Sequence, residues 1–356
     1  MSWNCKGYIW LLALLLTMTG CRDEVLGESA QLRLSICLPD KEQTASAPRK
    51  VMGDPGITEM FELPKYAYIF VMKDNGNGTW SVWRREERKL AAEDWTRTRY
   101  NGSNNTREDS IFKYDKDIQF LLNGEQLTGR VYAICSNKKL TFNTAFNSVS
   151  NMTQLLDWKF DSSPDSIQEN LKNIYSTPYN YKRGGQYYCS FDCSAGNVFT
   201  LDLLMYHVAS KVDIKWNVAE NKRINRLHPE EAVRLTYMEA RRLYNGPAYC
   251  FKPLKNEVAT LPTTGYDITN IVTPSDEGLW WEGRTYFYTI PYYVAGEANY
   301  FPVQMVLCTN GTAKADGYKL TLKQPFDTTA VFVPWLRGNF TLTRPLANTE
   351  ETKTWD

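Results

Sequence analysis

Apolar and polar side chains alternate along many segments of this chain, and this pattern restricts the possible folds more than any other feature. In QLRLSICL one face carries Leu32, Leu34, Ile36 and Leu38, and the other face carries Arg33, Ser35 and Cys37. A period of two residues is typical of a half-buried β-strand. The pattern recurs in KYAYIFVM, GRVYAICS, NVFTLDLLMYHVASKVDIKWNV, YFYTIPYYV, FPVQMVLCTNG, YKLTLK and NFTLTRPL. The sequence therefore predicts a mainly β fold, assembled as β-sandwiches.

Turn signals separate these segments, at residues 74–78 and at Asn123-Gly124, Gly184-Gly185, Asn245-Gly246 and Asn310-Gly311. Helical patterns are few, and we expect one or two short surface helices within residues 151–175. Residues 228–246 have a proline and an Asn-Gly pair that suit the two ends of a helix. Because Val233, Leu235 and Tyr237 alternate with their neighbours, we predict a strand there instead.

The length of 356 residues is too great for one ordinary hydrophobic core and suits two domains. The apolar KVDIKWNV gives way to the polar AENKRINRLH, which suggests a boundary there. We predict an N-terminal β-sandwich domain at 28–217 and a C-terminal one at 218–356. No repeat with a period of about 20 to 50 residues is visible. Because 41 basic residues balance 40 acidic ones, we expect no nucleic-acid partner.

Residues 1–20 have the features of a secretory signal peptide, with Lys6, an apolar stretch over 8–16 and small residues before Cys21. The apolar stretch is shorter than the about 20 residues that a spanning helix needs. Its end, MTGC, resembles the lipobox of bacterial lipoproteins. The resemblance implies that Cys21 is lipidated, with palmitate as one acyl chain, and anchors the chain in the cell outer membrane. A plain signal peptide with a chance cysteine stays open. The RDE that follows resembles a signal for the outer face of that membrane.

The numbers and positions of the cysteines and histidines limit which disulfides and metal sites the chain could form. Once Cys5 is removed and Cys21 lipidated, six cysteines remain: Cys37, Cys135, Cys189, Cys193, Cys250 and Cys308. Most lie among apolar residues, as core cysteines do, and Cys189 with Cys193 is the best candidate for a disulfide. A zinc site needs more ligands than the two histidines, His207 and His228, can complete. We expect no metal and no cofactor.

No catalytic motif is visible. The chain lacks the nucleophile elbow, the phosphate-binding loop and the dinucleotide fingerprint. Acidic pairs at 86–87, 230–231 and 276–277 are typical of surface charge. We therefore predict that the protein is not an enzyme.

The aromatic segment LWWEGRTYFYTIPYYV has two interpretations. Trp280 and Trp281 could stack on sugar rings, whereas Tyr286, Tyr288 and Tyr293 could pack as strand residues of a sandwich core. We favour the core, because aromatic residues are common in strands.

A long polar connector lies between the first two predicted strands and contains TASAPRKVMGDPG. Connectors of this length inside a domain are uncommon and usually functional or flexible. Arg49-Lys50 at its centre is a preferred site for a trypsin-like protease. A cut there separates residues 21–49, including the whole first strand, and leaves an apolar groove that an extended strand of another chain could fill.

Together these segments resemble the fimbrillin family, the lipoprotein precursors and anchors of type V pili in anaerobic Gram-negative bacteria. The resemblance is carried by the lipobox, by APRKVMGDPG ahead of FELPKYAYIFVM, and by GRVYAICSN, HVASKVDIKWNV, FPVQMVLCTNG and VFVPWLRGNFTL. It implies two tandem transthyretin-like β-sandwich domains and assembly by donor-strand exchange after arginine-specific cleavage. It assigns lipidation to Cys21, processing to Arg49 and removal to the strand with Leu32, Leu34, Ile36 and Leu38. Phe340 and Leu342 in NFTLTRPL match the insertion residues of a donor strand.

The resemblance leaves alternatives open. The tail LANTEETKTWD is polar and poorly suited to a groove, so an anchoring or tip accessory subunit that keeps its lipid is a second reading. A surface glycan-binding lipoprotein is a third. The expected partners are other fimbrial subunits, the outer membrane through the lipid, and a host protein or glycan as adhesion ligand. The expected locations are the outer membrane, the cell surface and the fimbrium.

Overall fold

The computed structural model describes the chain in segments. They are residues 30–39, 63–100, 109–161 without 115 and 117, 173–219 without 178, 180–181, 184–185 and 195, 235–258 without 245 and 253, 265–267, 282–294 without 291, 300–309, 313, 317–325, 335–342 and 350–354. The described part is mostly strand, so the mainly β prediction is confirmed.

The first half of the chain contains thirteen described strands. They are β1 (Gln31–Pro39), β2 (Tyr66–Asp74), β3 (Trp80–Lys89), β4 (Trp95–Tyr100), β5 (Asp109–Tyr114), β6 (Gln119–Leu121), β7 (Thr128–Ser136), β8 (Ile174–Ser176), β9 (Lys182–Arg183), β10 (Gln186–Tyr187), β11 (Ser190–Asp192), β12 (Val198–Leu204) and β13 (Tyr206–His207). One short helix, α1 (Met152–Leu156), follows two 3₁₀ turns, Ala92–Asp94 and Phe146–Ser148.

The second half contains ten described strands. They are β14 (Ser210–Val218), β15 (Leu235–Arg241), β16 (Leu254–Val258), β17 (Gly265–Asp267), β18 (Glu282–Thr289), β19 (Tyr292–Val294), β20 (Tyr300–Thr309), β21 (Tyr318–Pro325), β22 (Trp335–Leu342) and β23 (Glu350–Thr354). The strand predicted in the ambiguous segment 228–246 is confirmed over 235–241, where β15 pairs with β20.

The helix prediction for residues 151–175 is confirmed at its start and wrong at its end. The Asn151 side chain caps α1 by accepting a hydrogen bond from the Gln154 backbone N–H at 3.0 Å. Residues 174–176 form β8 instead, because they are buried and pair with β7.

Two sheets build the first half. One has the order β12-β1-β5-β4, with β6 also paired to β1, and the other has the order β13-β8-β7-β2-β3, with β11 paired to β7. Side chains of both sheets meet in one continuous hydrophobic cluster, as in a β-sandwich. The remaining pair in this half is β9 with β10.

The second half repeats the strand order of the first. Its sheets run β18-β14-β22 and β17-β15-β20-β21-β23, and β16 pairs with β19. The strand β14 corresponds to β1, because each pairs in parallel with a late strand of its own half, β22 and β12 respectively. Likewise β15 and β20 pair antiparallel as β2 and β7 do. The repeat unit is half of the chain, which is longer than a period of about 20 to 50 residues.

The strand pairing passes from one half to the other between residues 207 and 210. The strand β13 pairs with β8, whereas β14 pairs with β18 and β22. This change lies before the predicted boundary at 217/218, since the sequence placed KVDIKWNV in the N-terminal domain. The domain limits themselves stay a prediction.

An aromatic layer covers one face of the sheet that contains β2 and β7. Tyr68 and Phe70 alternate with Ile69 and Val71 along β2, so the two aromatic residues share this face. The ring of Trp158 lies 5.2 Å from that of Phe70 and stacks on that of Phe142 at 3.8 Å. The layer also includes Phe146, Phe160 and Phe251.

Part of this layer comes from the second half, through residues 248–251, here named the crossing segment. The Phe160 backbone N–H donates to the Ala248 carbonyl, and the Cys250 N–H donates to the Trp158 carbonyl, both at 2.9 Å. The Phe251 ring is buried and lies 5.5 Å from the ring of Tyr132 in β7. The two halves therefore share backbone hydrogen bonds and a buried aromatic contact.

Candidate functional site

The first strand is the predicted site that the structure describes best. Its slot, here named the first-strand slot, lies between β12 on one side and β5 and β6 on the other. The lipidation residue Cys21 and the processing residue Arg49 lie outside the described residues, and their roles stay predictions. Trp280 and Trp281 also lie outside them.

The inner face of β1 is completely buried, as the alternation predicted. The exposed fractions are 0% for Leu32, 2% for Leu34, and 0% for Ile36 and Leu38. Burying one such side chain contributes about 1.5 to 3 kcal/mol relative to leaving it in water. The four side chains are therefore a large part of what holds β1 in place.

Both edges of β1 are occupied by neighbouring strands. Residues 31–37 run parallel to residues 198–204 of β12 in continuous register. On the other edge, residues 36–39 pair with β5 and residues 31–33 pair with β6. Between these two pairings the Leu34 N–H donates to the Ile118 carbonyl at 2.8 Å. A strand that leaves this slot abandons hydrogen bonds on both sides.

The outer face of β1 is less exposed than a half-buried strand predicts. Ser35 is 4% exposed and Cys37 is fully buried. The Lys113 Nζ of β5 lies 3.0 Å from the Asp202 Oδ1 of β12, and these two strands flank β1. The sequence alone did not predict this ion pair. The available signal was one charged residue inside each of two apolar strands, IFKY and FTLDLL.

The predicted donor residues lie in a strand that is paired within its own chain. Phe340 and Leu342 belong to β22, where they lie opposite Trp216 and Val218 of β14. The polar tail also forms a strand, β23, which pairs in parallel with β21. The donor role of Phe340 and Leu342 stays a prediction, and it requires β22 to leave β14.

The candidate disulfide between Cys189 and Cys193 is wrong. The two residues flank β11: the Cys189 carbonyl accepts a hydrogen bond from the Val131 N–H in β7, and the Cys193 N–H donates to the carbonyl of Leu127, the residue just before β7. Val131 and Leu127 are four residues apart. Four residues of strand span about 13 Å, whereas bridged Cα atoms lie within about 7 Å. The six described cysteines are free thiols and all are buried. Burial raises the pKa of Cys189 to about 11, and it also raises the pKa of Cys135 and Cys250.

The other residues singled out in the sequence lie in strands where the structure describes them. His207 lies in β13, with its ring 4.3 Å from that of Tyr175, whereas His228 lies outside the described residues. Tyr286 and Tyr288 lie in β18 and Tyr293 lies in β19, as strand residues. Among the described residues, no cluster of three metal-ligating side chains occurs, and no helix has the length and apolarity needed to cross a membrane.

Comparisons with known proteins found similar solved structures. A fimbrial assembly protein from Parabacteroides distasonis is 10% identical with a TM-score of 0.42, covering 88% of this chain and 92% of that one. A candidate cell adhesion protein from the same organism is 11% identical with a TM-score of 0.44, covering 91% and 94%. A C-terminally truncated tip fimbrial protein from Porphyromonas gingivalis is 13% identical with a TM-score of 0.38, covering 85% and 84%. No family model and no curated protein sequence matches the chain.

Proposed function

We propose that the protein is a structural subunit of a type V pilus that is exported as a lipoprotein and assembles by donor-strand exchange, contributing to adhesion. One observation carries the proposal: β1 is a buried central strand, and Arg49 lies in the sequence between it and β2. A single cut after Arg49 separates β1 from every later strand. The slot then holds β1 by non-covalent contacts alone.

Loss of β1 removes strand pairing and apolar burial from the first-strand slot, so binding of a replacement strand is favoured. Without it, β12 and β5 lose their common neighbour, and the inner side chains that packed on the four aliphatic residues face solvent. An extended segment with apolar residues at alternate positions restores both the burial and the main-chain hydrogen bonds. The segment with Phe340 and Leu342 has this alternation at three of four positions, with Leu336 as the third apolar residue and Gly338 between them. It lies in β22, which among the described strands pairs with β14 alone, and a strand with one partner is easier to release than a central one.

Limited trypsin treatment tests the processing step. We expect the first cut of the folded, lipid-free precursor after Arg49 or Lys50. After residues 21–49 are released, the protein should form concentration-dependent polymers, measured by light scattering. An Arg49→Ala/Lys50→Ala variant is the control and should stay monomeric. Deleting residues 338–356 should abolish polymers but leave the monomer folded. A released protein that stays monomeric, alone and with related subunits, would remove the shaft-subunit proposal.

Lipidation has a separate test. Cys21→Ala should leave the precursor unprocessed or soluble, because the thiol is the proposed acyl acceptor. Normal palmitate labelling of this variant would contradict the lipoprotein part of the proposal. Lipid anchoring and polymer formation are therefore tested independently of each other.

An anchoring or tip accessory subunit is the second candidate, and the pairing of the C-terminal strands favours it. Both β22 and β23 are paired within the chain, as expected for a subunit that donates no strand. Such a subunit keeps its lipid and with it β1, so Arg49 is not a processing site in the cell. If trypsin removes β1 in vitro, we expect the protein to bind the donor segment of a related subunit when the two are mixed, but not to polymerise alone.

A further inference from the structure

The ion pair between Lys113 and Asp202 crosses the outer face of β1. In the strand register, Lys113 lies directly opposite Cys37, and Asp202 lies directly opposite Ser35. Directly opposite residues of neighbouring strands point to the same face of a sheet. The two charged side chains and the two small ones therefore share one face.

The ion pair must lie across β1 for geometric reasons. Its two strands are separated by β1, so their backbones are two strand spacings apart, about 9.6 Å. The Lys113 Nζ and Asp202 Oδ1 nevertheless meet at 3.0 Å, which requires both side chains to extend over β1 toward each other. The residues beneath have short side chains, Ser35 and Cys37, and are 4% and 0% exposed. Arg33, two positions before Ser35 on the same face, is long and half-buried.

We propose that this ion pair makes the first-strand slot selective: it admits a strand with large apolar side chains on the inner face and small side chains at the two positions now held by Ser35 and Cys37. A larger side chain at either position would push the lysine and the aspartate apart. The part of this inference that concerns an incoming strand rests on the proposed strand exchange. The requirement for small side chains at positions 35 and 37, here named the steric rule, applies to the intact chain as well.

The occupant that fits is an extended segment of a second copy of this chain, residues 336–342. With Phe340 in the position of Ile36 and Leu342 in that of Leu38, Leu336 takes the position of Leu32, so three of the four inner positions carry large apolar side chains and Gly338 takes that of Leu34. The residues at positions 35 and 37 are Asn339 and Thr341. Both are small, and Arg337 then takes the position of Arg33. Related subunits with the same large-small alternation are equally compatible.

The intact chain tests the steric rule without any strand exchange. Ser35→Phe, and the milder Ser35→Leu in case the first fails to fold, should each raise the unfolding equilibrium constant. The same substitutions are then made in a Lys113→Ala/Asp202→Ala background, where we expect the effect to be roughly tenfold smaller. Arg33→Phe is the matched control and should have the same effect in both backgrounds. Equal effects of Ser35→Leu with and without the ion pair would overturn the proposal.

Peptide exchange tests the partner. The protein nicked after Arg49, with residues 21–49 still in the slot, is incubated with labelled peptides of residues 30–39 and of residues 336–342. We expect the Ser35→Phe peptide to bind at least about tenfold more weakly than the native peptide, and the Arg33→Phe peptide to bind equally well. Equal binding of all peptides would overturn selectivity. If no peptide displaces β1, the proposed exchange fails, and the intact-chain experiment still decides the steric rule.

Discussion

The first strand of each half, β1 and β14, occupies the same place in its sheet, but the chain connects the two strands differently. Each is central, with a parallel partner on one side and an antiparallel partner on the other. The strand β14 follows β13 after two buried residues, Val208 and Ala209. In contrast, residues 40–65 separate β1 from β2 and include Arg49. The same topology therefore yields one strand, β1, that a single cut can detach, and another, β14, that stays joined to the first half through β13.

The crossing segment, unlike β1, holds the two halves together. The first half completes its aromatic layer with Phe251 of the second half, whereas β1 contributes nothing to that layer. Loss of β1 therefore leaves the contact between the halves intact. We expect the first half to remain attached and partly supported while its slot is empty.

The largest expected effect comes from charges on the inner face of β1. Leu34→Asp/Ile36→Asp should lower the free energy of unfolding of the intact chain by at least about 5 kcal/mol, because buried carboxylates must be neutralised or hydrated. After release of residues 21–49 the substitutions are gone with the strand, so the remaining protein should match the wild type. Trp216→Asp in β14 should destabilise both forms. Urea unfolding of intact and released proteins measures this, and a stable double variant would contradict the detachable-strand comparison.

A smaller effect is expected from the crossing segment. Phe251→Ala removes a fully buried ring between Trp158 and Tyr132 and should cost about 3 to 5 kcal/mol. Hydrogen exchange along a denaturant series should show residues 128–136 opening before residues 300–309, whereas the two should open together in the wild type. Phe199→Ala, a half-buried ring in β12, is the control and should not separate the halves. If β7 kept its protection from hydrogen exchange in Phe251→Ala, the stability of the first half would not depend on its contact with the second half.

The sequence predicted the strands well because their signal is local. The alternation in residues 31–38 identified β1 and its four buried aliphatic residues, and it also chose strand over helix for β15. Pairing is not local: the parallel register of β1 with β12 and the ion pair between Lys113 and Asp202 join segments far apart in the chain. The predicted disulfide between Cys189 and Cys193 is absent because residues that are four positions apart along an extended strand are too far apart in space to be bridged.

The repeated topology had a signal that was overlooked. The strands β7 and β20 correspond, they end with the similar sequences ICS and LCT, and an asparagine follows each of them in the sequence. Because the repeat spans half of the chain and most other positions differ, a search at short periods does not find it. The crossing segment had no such signal, since its hydrogen bonds depend on how the halves pack.

An intermediate effect is expected from alkaline pH, acting on the first half through Cys189. Burial raises the pKa of this thiol from 9.0 to about 11, so the unfolded chain loses the proton at lower pH than the folded chain. Stability from this group is fully present below pH 9 and is lost as the pH rises through about 11, by about 2 to 3 kcal/mol. Cys189→Ala should reduce the slope of unfolding free energy against pH in this range. An unchanged slope would contradict the assignment to Cys189.

The smallest expected effect tests which contacts of the crossing segment matter. Next to Phe251, the Lys252 Nζ lies 3.1 Å from the Asp157 Oδ1 and 4.1 Å from the centre of the Tyr249 ring. The Asp157 side chain is 61% exposed, so solvent screens the ion pair strongly. Lys252→Ala should therefore cost about 1 kcal/mol or less, measured by urea unfolding, and the halves should still open together. A loss as large as that of Phe251→Ala would mean that charge, and not the buried ring, joins the two halves. Raising the salt concentration would then separate them in the wild type as well.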